Sequence, residues 1–137
     1  MSAYKIITLA ATDPALNDYR AMIYSDFMKS LRYGNEWYRL IDSNRYYSVY
    51  KNIIDALLSR ADSVVRLACL ANDVDTCLGW SLTEGPKFHY IFVKEDYRRN
   101  GIGKSLMPKE FNQITHLTKI GQAIRKAKFR TVIFDPF

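Results

Sequence analysis

The chain has 137 residues, 48% of them apolar, with 20 basic against 14 acidic side chains. That length suits one domain with a real core, so residues 1–137 are read as a single domain, and the apolar content excludes a disordered chain. No apolar run is long enough to span a bilayer and no charged-then-apolar leader opens the sequence, so the expectation is a soluble, cytoplasmic protein with no membrane partner.

In chain order, Tyr4 to Ala10 reads as a first strand, rich in β-branched residues. Asp13-Pro14 predicts a helix start, with Asp as N-cap and Pro at the first helical position. Leu16, Tyr19, Ile23, Phe27 and Leu31 then give that helix one apolar face, ending near Gly34. Ser43 or Asn44 is the expected cap of a second helix, with Tyr46 or Tyr47, Tyr50, Ile53, Ile54, Leu57 and Leu58 as its buried stripe. Val64 to Ala71, Cys77 to Thr83 and Phe88 to Val93 read as a three-stranded meander with turns at Asn72-Asp73 and Glu84-Gly85-Pro86. A helix over 103–111, interrupted by Pro108, a strand over 114–117, a basic helix over 119–128 and a last strand over 130–134 complete the reading. Cys69 and Cys77 are expected to be reduced core thiols. His89 and His116 stand alone in the sequence, and no Cys/His spacing suggests a metal.

The densest information lies at the end of the third meander strand. Tyr90-Ile91-Phe92-Val93 is apolar, Lys94 to Asn100 is polar, and Gly101-Ile102-Gly103-Lys104-Ser105-Leu106 opens a helix. The first N–H groups of a helix have no partner within it and carry partial positive charge, so such a turn suits a phosphate. Gly101 and Gly103 leave the backbone open to an anion, and Arg98, Arg99 and Lys104 add mobile charge. A dinucleotide fingerprint would need a third glycine, and a triphosphate loop an earlier one; neither is present. The charge is distributed accordingly. Residues 1–97 hold 11 basic and 12 acidic side chains, whereas residues 98–137 hold 9 and 2. A phosphate-rich cofactor accounts for such a patch, and nucleic acid does equally.

The spacing Arg98-x-x-Gly101-x-Gly103, with its strand before and helix after, resembles the Q/R-x-x-G-x-G/A acyl-CoA motif of the GNAT N-acetyltransferase superfamily. The predicted order β-α-α-β-β-β-α-β-α-β is similar to that family's over nearly the full length. The resemblance implies an α/β (α+β) GNAT fold: a mixed central sheet splayed between the fourth and fifth strands, helices on both faces, and a short C-terminus. The family's usual last strand would then be missing or come from a partner chain, which makes a homodimer plausible.

By the same resemblance, acetyl-CoA (coenzyme A) would be held by Ile91, Phe92 and Val93 on the strand. Arg98, Arg99, Asn100, Gly101, Ile102, Gly103, Lys104 and Ser105 would hold it in the turn. A backbone N–H near Phe92 or Val93 would polarise the thioester. Relatives often deprotonate the amine with a carboxylate, for which Glu84 is the positional candidate, with Asp96 and Glu95 behind it. Glu84-Gly85-Pro86 also reads as a plain turn with a solvated acid. Many relatives supply a tyrosine as general acid from the helix after the fifth strand, but residues 118–129 contain none. His116, a tyrosine from elsewhere, or solvent would have to serve. The segment from Arg32 to Arg39, continuing to Arg45-Tyr46-Tyr47, would wall the acceptor site. The implied function is acyl-CoA-dependent N-acyl transfer, most simply N-acetyl transfer, by direct attack of an amine in a ternary complex. A GNAT-fold enzyme acting on a nucleic-acid base and a non-catalytic GNAT-like module are the alternatives.

Overall fold

In a computed structural model of the chain, residues 3–98, 101–116 and 132–135 are described. The elements are β1 (Tyr4–Ala10), a 3-10 turn (Pro14–Asp18), α1 (Arg20–Tyr33), α2 (Glu36–Arg39), α3 (Ser43–Leu58), β2 (Ser63–Leu70), β3 (Asp73–Glu84) and β4 (Lys87–Val93). A second 3-10 turn (Glu95–Tyr97), α4 (Ile102–Leu106), β5 (Gln113–Ile114) and β6 (Ile133–Phe134) follow. Among the described residues no helix is long and apolar enough to cross a membrane.

The six strands form one mixed sheet in the order β1-β2-β3-β4-β5-β6. The first four pair antiparallel as a meander, and β5 and β6 then run parallel to β4. Leu9, Val65, Leu67, Trp80, Leu82 and Tyr90 bury one sheet face against Ile23, Phe27 and Leu31 of α1 and Ile54, Leu57 and Leu58 of α3. Phe27 stacks on Tyr90 with ring centroids 4.2 Å apart at the centre of this layer. On the opposite face, Ala68 and Leu78 pack against Ile102 and Leu106 of α4. The sheet is therefore covered on both sides, as expected for an α/β fold of this kind.

Several local expectations are corrected. The first helix is broken: Asp13 does cap, accepting from the Ala15 N–H at 2.9 Å, but it caps a 3-10 turn that tucks Leu16 into the core before α1 begins. The cap of α3 is Asp42, not Ser43 or Asn44, with the Arg45 N–H 3.1 Å from its carboxylate; a charged acceptor is the stronger partner for a helix start. The helix expected over 103–111 stops at Leu106, because Pro108 pushes Met107 into an extended conformation. β5 is shorter than its expected span, and the basic helix over 119–128 lies outside the described residues, as does part of the last strand. Cys69 and Cys77 are cross-strand partners, both buried and both free thiols. Burial pushes the Cys77 thiol up to about 12, so it is protonated and inert at neutral pH.

Candidate acyl-CoA and acceptor site

The sheet opens between β4 and β5. Among the described residues, only Lys87 and Phe88, at the start of β4, pair with β5, through Gln113 and Ile114. The last bond of that seam runs from the Thr115 N–H to the Phe88 carbonyl at 3.1 Å. Beyond it β4 continues to Val93 without β5 beside it. The Lys94 N–H points the other way, to the Leu78 carbonyl of β3 at 2.9 Å. Strand alternation then turns the peptide groups of Phe92 toward β3 and those of Ile91 and Val93 toward the opening. Gly79 makes the β3 side of this arrangement tight: a Cβ there would sit 2.7 Å from the Phe92 carbonyl oxygen. No feature of the sequence alone singled Gly79 out.

At the far end of the opening stands the glycine turn. Gly101 is the residue before α4 and has φ +80°, a left-handed conformation that side chains resist. The Ser105 N–H closes the first turn onto the Gly101 carbonyl at 3.1 Å, and the Ser105 hydroxyl reaches the same carbonyl at 3.0 Å and Tyr4 at 2.9 Å. Helix geometry leaves the N–H groups of Ile102, Gly103 and Lys104 without partners within α4. A Cβ on Gly103 would meet only Val93 Cγ2, at 4.0 Å, so the space above this backbone is open. Arg98 folds back so that its Nε donates to the Val93 carbonyl at 2.9 Å, tying the turn to the strand end. The side chain of Ile102 is buried in the core, so any contact from it to a ligand would come through its backbone. Arg99 and Asn100 lie outside the described residues. Glu95 and Asp96 are exposed on the 3-10 turn.

The second half of the site lies at the near end of the opening. A cavity of about 300 Å³, open to solvent on one side, is lined by Tyr38, by Tyr50, Ile53 and Leu57 of α3, and by His89 and His116. Glu84, at the end of β3, accepts from Arg60 Nη1 at 2.8 Å and shares the same oxygen with His89 Nε2 at 2.9 Å. His89 Nδ1 lies 2.8 Å from Thr115 Oγ1, which in turn lies 2.9 Å from His116 Nδ1. Glu84 and His116, far apart in sequence, are thus the two ends of one hydrogen-bonded chain. His89 and Thr115 are its middle, and reasoning from sequence missed both. The clue was register: a hairpin turned at Gly85-Pro86 returns His89 beside Glu84, and pairing of Phe88 with Ile114 sets Thr115 beside His89.

The electrostatics of this chain are distinct for each member. Burial alone would raise the Glu84 carboxyl, but Arg60 and His89 hold it below the usual carboxylate range. Burial lowers the His89 ring below its usual value, against the pull of Glu84. Burial, helped by His89, brings His116 down to about 4. At neutral pH the carboxylate is charged and both rings are neutral. Among the described residues no group of three or more His, Cys, Asp or Glu side chains is placed to hold a metal ion.

The segment between the first helices contributes less free chemistry than its composition suggests. Arg32 donates to the Ile41 carbonyl at 3.0 Å and lies over the rings of Tyr46 and Tyr47 at 5.0 and 5.8 Å. Tyr46 is buried and donates to the Met28 carbonyl. Tyr38 reaches the cavity, where its hydroxyl accepts from Tyr50 at 3.2 Å.

No family model and no curated protein matches the sequence. Solved structures do match the fold. A Pyrococcus furiosus protein provisionally named as an acetyl transferase aligns over 96% of this chain and 80% of its own, with TM-score 0.54 and 17% identity. Ribosomal-protein-alanine N-acetyltransferase from Brucella melitensis aligns over 94% and 89%, with TM-score 0.52 and 16% identity. An aminoglycoside acetyltransferase from an uncultured soil metagenomic sample aligns over 94% and 87%, with TM-score 0.50 and 18% identity. At these identities the likeness is one of architecture. The parted β4–β5 seam, the two-sided sheet and these structural neighbours agree, and the chain has the GNAT fold.

Proposed function

We propose that the chain is an acyl-CoA-dependent N-acyltransferase, with acetyl-CoA as the donor and an amine as the acceptor. The observation that carries this reading is the opening between β4 and β5, which ends at the Gly101 turn. The outward peptide groups of Ile91 and Val93 suit the amides of a pantetheine arm. The N–H groups at the start of α4, which have no partner within that helix, would suit its phosphates together with Arg98 and Lys104. The open space over Gly103 is the fit: a side chain there would fill the place a phosphate needs. Bound acetyl-CoA would supply an activated thioester carbonyl. The chain's own contributions would be an outward N–H of β4 as oxyanion donor and the aromatic cavity as the acceptor's seat.

Calorimetric titration with acetyl-CoA, paired with thermal melts, tests the reading. The expected outcome is saturable micromolar binding. At about a hundredfold excess over the dissociation constant, it should add roughly 2.7 kcal/mol of stability. Absence of both heat and melt shift would refute it.

A further inference from the structure

We propose that His116 is the proton carrier of acyl transfer, and that Thr115, His89 and Glu84 are positioning residues that hold and discharge it. The inference rests on the acyltransferase reading of this site and assigns both the base and the acid, the latter being the role that a missing tyrosine leaves vacant.

Geometry comes first. Glu84 is already engaged, one carboxylate oxygen accepting from both Arg60 and His89. It pairs with Lys87 at the turn of the β3–β4 hairpin, and six residues of strand, about 20 Å, separate Lys87 from Val93. His116 follows the last residues that tie β5 to β4, so it stands where the two strands part, and its ring lines the cavity beside Tyr38 and Tyr50. The links between them are 2.9, 2.8 and 2.9 Å long, all within hydrogen-bond range.

Donor counting then fixes the direction of every link. The Glu84 carboxylate only accepts, so His89 Nε2 carries a hydrogen and His89 Nδ1, in a neutral ring, is bare. Thr115 therefore donates its single hydrogen to His89 Nδ1. Its oxygen must in turn accept from His116 Nδ1–H, which leaves the Nε2 lone pair of His116 as the open end of the chain. Each member's tautomer is determined by the next, and the sequence of donations ends on a carboxylate.

The step balances as follows. The amine nitrogen bonds to the thioester carbon, and its proton passes to His116 Nε2. The Nδ1 proton of His116 moves to Thr115 Oγ1, and the Thr115 proton moves to His89 Nδ1. The positive charge thus comes to rest on His89, against Glu84, rather than on the enclosed His116 ring. When the C–S bond breaks, the same shifts run backward and His116 Nε2 returns the proton to the departing thiolate sulfur. Amine N–H and thioester C–S are broken, amide C–N and thiol S–H are made, and the protein is unchanged.

Two measurements test this together. Long-range ¹H–¹⁵N spectra of the histidine rings should show His116 as the Nδ1–H tautomer and His89 as the Nε2–H tautomer. Thr115→Val, nearly isosteric, should release the His116 preference, and Thr115→Ser should restore it. In acetyl-CoA turnover with benzylamine and with water alone as probe acceptors, His116→Gln should lower kcat about a hundredfold, the low end for general acid–base catalysis. Thr115→Val should show most of that loss and Thr115→Ser little, with KM for acetyl-CoA unchanged in all three. His116 in the Nε2–H tautomer, or full turnover in Thr115→Val, would overturn the relay while leaving the acyltransferase reading in place. Failure of the unmodified protein to bind acetyl-CoA by calorimetry would instead remove the reading on which the relay rests.

Discussion

Gly101 and Gly103 stand two positions apart and are needed for different reasons. Gly101 has a backbone conformation with φ +80° that disfavours any side chain by about 1–2 kcal/mol, whatever the ligand. Gly103 is in an ordinary helical conformation with open space where its Cβ would be. The clean test of the phosphate cradle is therefore Gly103→Glu rather than a change at Gly101, which would confound binding with strain. Gly103→Glu should melt at or slightly above the unmodified protein, since Gly is a poor helix residue. It should also lose acetyl-CoA binding by at least tenfold, read by calorimetry. Retained affinity would mean that the phosphates do not rest there. Both glycines could be read from the motif, but their separate reasons could not, because φ and the space around a Cβ exist only in three dimensions. The same holds for Ile102, whose position in the motif suggested a ligand contact and whose side chain belongs to the core.

At the scale of elements, the two-residue β5 carries more than its length suggests. It is held to β4 by backbone bonds from Asn112 to Pro86 and from Thr115 to Phe88, and by the contact of Thr115 with His89. This attachment depends on neutral histidine rings. In the unfolded chain His116 takes up a proton near its ordinary value of 6.5, whereas in the folded chain burial delays that to about 4. Across that window the unfolded state binds more protons, so stability rises with pH and is lost as pH falls. His89, lowered in the same direction, adds to the slope. Melting temperature should thus hold above 6.5 and drop progressively toward about 4, with a shallower drop in His116→Gln. A flat profile in the unmodified protein would show that these rings are not protected from protonation. Element order was legible in the sequence because β1, α3 and the meander carry strong periodicity. The β4–β5 seam was expected only through the family resemblance, as a splay between the fourth and fifth strands; its register was not legible, because a two-residue strand has no period to detect. Its consequence, the meeting of His89 and Thr115, went unseen for that reason.

At the scale of the molecule, one sheet has two helical layers and a gap, and the candidate chemistry is distributed along that gap. The glycine turn lies at the Val93 end, while the histidine chain and the aromatic cavity lie at the Phe88 end. On the proposed reading, such a division would place donor and acceptor along the same strand, with no domain movement needed to bring them together. The architecture was legible from one motif and the element order around it; the acceptor was not, since Tyr38, Tyr50 and His116 converge from three separate segments. The central claim is that acyl-CoA occupies the gap, and amide ¹H–¹⁵N spectra recorded during titration with acetyl-CoA test it most directly. The account predicts saturable shifts at Ile91, Val93 and Gly101 through Ser105, with β1 and the α3 N-terminus unmoved. Shifts confined to other surfaces, or none at saturating ligand, would contradict it.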